Sequence, residues 1–386
     1  MTALRSPLLA LVVAACSAGG DDETTAPASS TSSASAPTSG AADPTTGADA
    51  DDTSTTSISG GTGDGTTGTA APSTGDEPDP TTGADPTTGE PVDDPRLATL
   101  VTHAPRVWLH PNEQYFPSSV EFAFAAMTRF VGGDSNYWLR STDALASPSD
   151  TLPFFAGDLD HAPVYAYYAD KGGGVVDLVY FFWYPYNRGK EVVDTIWGNH
   201  VGDWEHITVR LLQDMQGELV PDQVYLSAHD FGGAYAWADI EKFESTHPVV
   251  YAAWGSHGVW KDPGDHVYMT IGEEVLGVCV TLVCADLTDE TAPGVAWDTW
   301  TRVAGFDYAA KQGLGAQTWP VWMREDFAQP GDPPADEPGH GPIYRWGNAE
   351  DCSTLGVDIS DLIGVCRLED GPTGPASKGV WGPELQ

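Results

Sequence analysis

The sequence predicts a mainly β protein: a single β-sandwich-like domain with short peripheral helices and long loops, set behind a disordered tether. Three observations carry that expectation. From residue 106 onward, short apolar runs recur, and Gly, Pro, Asp and Asn break them at short intervals, as in a sandwich or distorted barrel. One run, residues 175–184, is apolar on both faces, as a central strand covered on each side must be. Between residues 17 and 94, by contrast, large apolar side chains are almost missing.

Taken in order, residues 1–15 read as a bacterial export signal, with Arg5 as its positive end and an apolar run over residues 8–13. That run is too short to span a bilayer. Val13-Ala14-Ala15-Cys16 has the form of a lipobox, so cleavage is expected before Cys16 and lipid attachment on it. The expected location is the cell envelope, lipid-anchored at the outer membrane or cell surface. Each buried lipid methylene would add about 0.8 kcal/mol to that anchor. Residues 16–94 form the tether. Their Thr, Ser, Gly, Ala, Pro and Asp cannot bury enough surface to offset the entropy of ordering. Asp43-Pro44-Thr45-Thr46-Gly47-Ala48-Asp49 returns at residues 79–85 and in part at 85–89, so repetition built the spacer.

Seventeen Lys and Arg stand against 56 Asp and Glu, a formal charge of −39. Nucleic acid is excluded as a partner, and so is anionic lipid held by a basic patch. Divalent cations suit such a surface better.

Residues 95–370 suffice for one large domain, and no second linker divides them. Strands are expected at 106–109, 164–168, 175–184, 203–211, 223–228, 248–254 and 266–271, with helical pieces at 120–129 and 240–245. Residues 371–386 read as a loose Pro- and Gly-rich tail.

The stretch richest in chemistry is His200-Val201-Gly202-Asp203-Trp204-Glu205-His206. Strand alternation puts Asp203 and Glu205 on the face of Ile207, Val209 and Leu211, while Trp204, His206 and Thr208 share the other. Two carboxylates at the end of an apolar face require a cation beside them. A divalent metal held mainly by oxygen is one answer, with His200 close enough to join because Gly202 lets the backbone turn. An ion pair with Arg106, Arg188 or Arg210 is another, and a solvated strand end a third.

That motif, preceded by Phe182-Trp183-Tyr184-Pro185-Tyr186-Asn187 and followed by the run from His247-Pro248-Val249-Val250 to Gly255-Ser256-His257-Gly258, resembles the vacuolar protein sorting-associated protein 62 family. The resemblance runs from about residue 104 to about 346 and implies fold more than function. The His-x-x-Asp-Trp-Glu element is also similar to that of the necrosis- and ethylene-inducing peptide-like cytolysins. That likeness implies a divalent cation at His200, Asp203 and Glu205, used in binding lipid head groups. A further acidic ligand of those cytolysins falls on Asn187, whose amide oxygen can still coordinate, with one negative charge fewer. Calcium or magnesium is expected there ahead of zinc.

Four cysteines remain beside Cys16, and proximity favours Cys279 with Cys284 and Cys352 with Cys366 as disulfides; a structural zinc site is the rival reading. His229 and His257 each follow an expected strand and are the candidate acids or bases, should catalysis occur. Ser227 and Ser256 sit near them without a nucleophile elbow. Trp297, Trp300, Trp319 and Trp322 stack on sugars, dip into a membrane interface or pad the sandwich. The function expected is cation-dependent binding of a glycan or lipid head group. A metal-assisted extracellular hydrolase and a metal-free structural or adhesive domain are the alternatives. Binding leads because no nucleophile is identifiable.

Overall fold

Asp94 caps a helix, its carboxylate accepting the Arg96 N–H at 2.9 Å, with Pro95 in the first turn where no N–H is needed. The computed structural model describes residues 93–131, 137–146, 150–192, 195–229, 231–271, 274–275, 278–279, 285–323, 344–354, 357–358 and 366–381. The signal, Cys16, the tether up to residue 92 and Cys284 lie outside them.

Helix Pro95–His103 (α1) leads into Arg106–Leu109 (β1), a short helix Val120–Phe124 (α2), Met127–Val131 (β2) and Tyr137–Ser141 (β3). Val164–Gly172 (β4) and Val175–Asn187 (β5) follow, then the small hairpin Lys190–Val192 (β6) and Thr195–Trp197 (β7). His200–Gln213 (β8), Leu219–Ala228 (β9) and Phe231–Ala236 (β10) form a meander. Beyond it come Lys242–Phe243 (β11), His247–Ala252 (β12), Val259–Trp260 (β13) and Gly264–Ile271 (β14). Glu274–Val275 (β15) and Val278–Cys279 (β16) pair with each other, and Ala285–Thr291 (β17), Val295–Asp298 (β18), Val303–Asp307 (β19) and Gln312–Gly313 (β20) close the main fold.

Two sheets make the sandwich. The larger runs β10-β9-β8-β5-β4-β19-β20, and the smaller runs β11-β12-β1-β18, with β13 on β12. Alternation along β5 and β8 sends Leu178, Tyr180, Phe182, Ile207, Val209 and Leu211 to one face, where they meet Val107, Leu109, Val250, Ala252 and Trp297 of the smaller sheet. The other face carries Val179, Phe181, Trp183, Val201 and Trp204, covered by α2, Leu139, Trp322 and Trp346. Apart from Asp177, which Arg210 pairs, the 175–184 run is therefore apolar because both of its faces are covered.

Both expected helical pieces need correction. Residues 120–129 hold one short helix and then β2, because Met127 to Val131 pairs with β3 and cross-strand pairing outweighs local propensity. Residues 240–245 hold no helix: Lys242 and Phe243 pair with Pro248 and His247. Trp297 and Trp322 are buried and Trp300 and Trp319 pack against the two cores, so these indoles pad the fold. Cys352 and Cys366 form a disulfide. Residues 371–381 are not a loose tail over that length: Gly371, Gly374 and Pro375 are buried, and Trp346 N–H bonds to the Pro372 carbonyl at 2.8 Å.

Candidate functional site

The site begins where two strands part. β9 pairs with β8 from Leu226 opposite Ile207 to Leu219 opposite Gln213, and before that point the ladder stops. His206 N–H is taken by the Ser227 hydroxyl at 2.8 Å instead of by a strand carbonyl. β5 continues alongside as far as Asn187 opposite His200. A cavity of about 1020 Å³ opens here, and residues from both faces of β8 line it. Gly202 has φ of +72°, and a Cβ on it would meet the Trp346 carbonyl oxygen at 2.0 Å. Only glycine lets the motif strand and the segment at Trp346 approach this closely.

Asp203 and Glu205 are 5 % and 7 % exposed, on the face the alternation assigned them. The cation beside them is none of the three arginines of the ion-pair reading, and the strand end is not solvated. Arg106 pairs with Asp298, Arg188 with Glu191 and Arg210 with Asp177. His257 does the work instead, its Nδ1 3.0 Å from Asp203 Oδ2 and its Nε2 3.9 Å from Glu113 Oε1. Burial pulls the His257 pKa down, yet the hydrogen bonds and charges of Asp203 and Glu113 outweigh it and push it up to about 9. Its ring stacks on Tyr184 at 3.8 Å and is fully buried. Glu205 takes a different course: burial and the Asp203 charge hold its carboxyl well above the usual range, although the Ser227 hydroxyl donates to Oε2.

A pattern runs through the four sequence-predicted ligands, all of which line the cavity. Each has one polar atom held by the protein and a second with no protein partner among the described residues. His200 Nδ1 lies 2.6 Å from the Gly202 carbonyl and must donate to it, which leaves Nε2 with its lone pair. Burial lowers the His200 pKa and favours this neutral form. Asn187 Nδ2 donates to the Gly198 carbonyl at 2.9 Å, leaving Oδ1. Asp203 uses Oδ2 on His257 and Glu205 uses Oε2 on Ser227, leaving Oδ1 and Oε1.

The candidate acids and bases fall apart into two environments. His257 lies behind Asp203, away from the cavity wall. His229, at φ +53°, lines the cavity with its ring stacked on Tyr268 at 3.8 Å, and its Nε2 is 2.9 Å from Asp289 Oδ2. Asp289 is fully buried and also accepts from Ser256 and from Trp260 Nε1 at 3.0 Å, with Lys190 Nζ 3.4 Å away. Burial alone would raise its pKa; the His229 bond and charge, Lys190 and Ser256 bring it down to about 2. Ser227 and Ser256 are thus committed to carboxylates. Glu113 and Asp289 escaped sequence reading because no motif marks them; each is tied to the site across more than 50 residues of chain.

Among the described residues, Glu350, Cys352 and Cys366 form a group whose ligand atoms lie within 4.8 Å of one another and could hold a metal. Joined as a disulfide, the two sulfurs are not thiolate ligands. His200, Asp203 and Glu205 do not converge that tightly, so theirs is an open cluster.

Residues 131–286 match the family described as Vacuolar protein sorting-associated protein 62. The chain is similar to that family. Vacuolar protein sorting-associated protein 62 of Saccharomyces cerevisiae is 33 % identical over 156 residues, 37 % of this chain and 30 % of the relative. Putative vacuolar protein sorting-associated protein TDA6 of the same yeast is 30 % identical over 168 residues, 39 % and 33 %. The chain thus spans about a third of the length of these relatives. Among solved structures, Necrosis and Ethylene inducing Protein 2 from the agent of cocoa's Witches Broom disease is 21 % identical, covering 42 % of this chain and 67 % of that one, with a TM-score of 0.27. NLPPya in complex with mannosamine gives 19 %, 45 %, 70 % and 0.30. The matched segment includes the motif strand, His229 and His257, and leaves out Glu113, Asp289 and the residues after 366.

Proposed function

We propose that the β domain binds a polar extracellular ligand, a glycan or lipid head group, through a divalent cation held by Asp203, Glu205, His200 and Asn187, with a lipidated Cys16 anchoring the chain to the cell envelope. The observation that carries this reading is the pattern of half-engaged donors: four residues in one cavity, each fixed by one polar atom and presenting another. Charge supports it as well. Glu113, Asp203 and Glu205 gather three carboxyls around the His257 imidazolium, with the Lys378 charge acting on Glu205, so full ionisation leaves an excess of negative charge that a divalent cation would offset. The donors fit a hard cation, three oxygens with one imidazole nitrogen, better than zinc. A bound cation would polarise and orient the oxygens of a ligand.

Within that arrangement the protein groups have distinct parts. Ser227 and His257 fix the two carboxylates, and the Gly202 carbonyl sets the His200 tautomer. The test is the melting temperature of the protein in calcium, magnesium, manganese or zinc, beside an Asp203→Asn/Glu205→Gln variant. A rise in the wild type that the variant lacks supports the reading; no rise with any cation sinks it.

The His229–Asp289 pair favours a second reading, metal-assisted hydrolysis, because a buried carboxylate orients an imidazole that lines the same cavity. Turnover of phosphodiester, glycan or ester substrates that His229→Gln abolishes without loss of cation binding would select it.

A further inference from the structure

The opposite face of β8 carries polar atoms that the cation reading does not use. Trp204 Nε1, both ring nitrogens of His206 and Thr208 Oγ1 are buried without a hydrogen-bond partner. They belong to alternate residues of one strand, and all three side chains line the cavity. His206 is 4 % exposed and held between Phe181 at 5.1 Å and Tyr225 at 5.5 Å, so it cannot swing out to water. A buried polar atom left unpaired costs about 1–3 kcal/mol, and a row of them points to something that pairs with them when bound.

Lys378 completes the picture. It lines the same cavity, close enough for its charge to act on His206 and Glu205. Other basic side chains among the described residues have salt bridges, backbone acceptors or aromatic faces to rest on, as with Arg302, Arg140 and Lys242. Among the described residues the Lys378 ammonium has none. The carboxylates that reach the cavity from its own segment are occupied: Glu369 accepts from Cys366 N–H, and Asp370 lies 3.7 Å from Arg345.

We propose that Trp204, His206, Thr208 and Lys378 form an oxyanion subsite that takes the phosphate group of a phosphate ester. An indole N–H, a hydroxyl, an imidazole N–H and an ammonium are all donors, and donors lining one cavity favour an acceptor-only group. The inference deepens the proposed function by naming the ligand's chemical class, yet it stands without the cation because the carboxylates lie on the other face of the strand.

The experiment titrates the full chain with inorganic phosphate by calorimetry in cation-free buffer. Saturable binding is expected, weakened about tenfold or more by Lys378→Met and by the nearly isosteric Thr208→Val, each with an unchanged melting temperature. Asp203→Asn/Glu205→Gln should bind phosphate as well as the wild type or better, even if that variant has lost its cation. No binding to the wild type, equal binding by Lys378→Met and Thr208→Val, or loss of binding in the carboxylate variant would each overturn the subsite. Glycerol 3-phosphate and vesicles of phosphatidylglycerol in phosphatidylcholine then separate the sources: binding of the soluble ester alone assigns a free phosphate ester, and binding of both assigns a lipid head group.

Discussion

Two buried carboxylate clusters border the same cavity, Asp203 and Glu205 directly and Asp289 through His229, and they are built on opposite terms. Asp289 is saturated: His229, Ser256, Trp260 and Lys190 surround it, and its pKa falls to about 2. Asp203 and Glu205 are half-served, with one oxygen each engaged and Glu205 held well above the usual carboxylate range. The difference teaches what burial of charge is for. A carboxylate given every partner locks β17 to the loops after β9 and β12, whereas one left with a free oxygen keeps the capacity to bind.

The contrast can be broken most forcefully at Asp289. Asp289→Ala strands Lys190 and His229 beside a buried void, and a loss of about 3–5 kcal/mol is expected in urea unfolding, the same with or without calcium. A smaller stability loss than that of Asp203→Ala would reverse the assignment of roles. Next comes the disulfide. Cys352–Cys366 braces the segment whose Cys366 carbonyl accepts from Gly198 N–H and whose Glu369 N–H bonds to the Asn199 carbonyl, one residue before His200. Cys352→Ser/Cys366→Ser should cost about 3 kcal/mol and weaken any cation-dependent rise in melting temperature; calorimetric melting of both forms measures the two effects together.

At the half-served pair the expected effect is conditional. A cation at a hundredfold its Kd should add about 2.7 kcal/mol to the wild type and nothing to Asp203→Asn/Glu205→Gln. An equal gain in both would place the cation elsewhere. Acid sharpens the comparison from the other side. The Asp289 pKa is about 2 when folded, below the unfolded value of about 3.9, so its stabilisation is present above pH 4 and is lost as pH falls through 2. About 2 kcal/mol should vanish across that window. Asp289→Asn should flatten this part of the pH–stability curve, and an unchanged slope would show that other carboxylates set it.

Particular residues show how far the sequence could be read. The alternation through Asp203, Glu205, Ile207, Val209 and Leu211 placed two carboxylates at the end of a core-facing row, and the structure has them there. The Cys352–Cys366 pairing followed from proximity. Asp94 before Pro95 is a helix start legible in the sequence, whereas the strand character of residues 127–129 comes from pairing with β3, which propensity within the segment does not register. His257 was singled out as an acid or base, while its place behind Asp203 and against Glu113 depends on a loop folding back over β5.

The sequence by itself determined the alternation, the doubly covered central strand and the residues able to ligate a cation, because strand periodicity and side-chain chemistry are local properties. Tertiary structure alone decided which cation answers the acidic pair, which carboxylate is saturated, and that Lys378 meets the unpartnered face of β8. Those outcomes depend on where β9 stops and which distant segments close over the gap, and no local pattern encodes either.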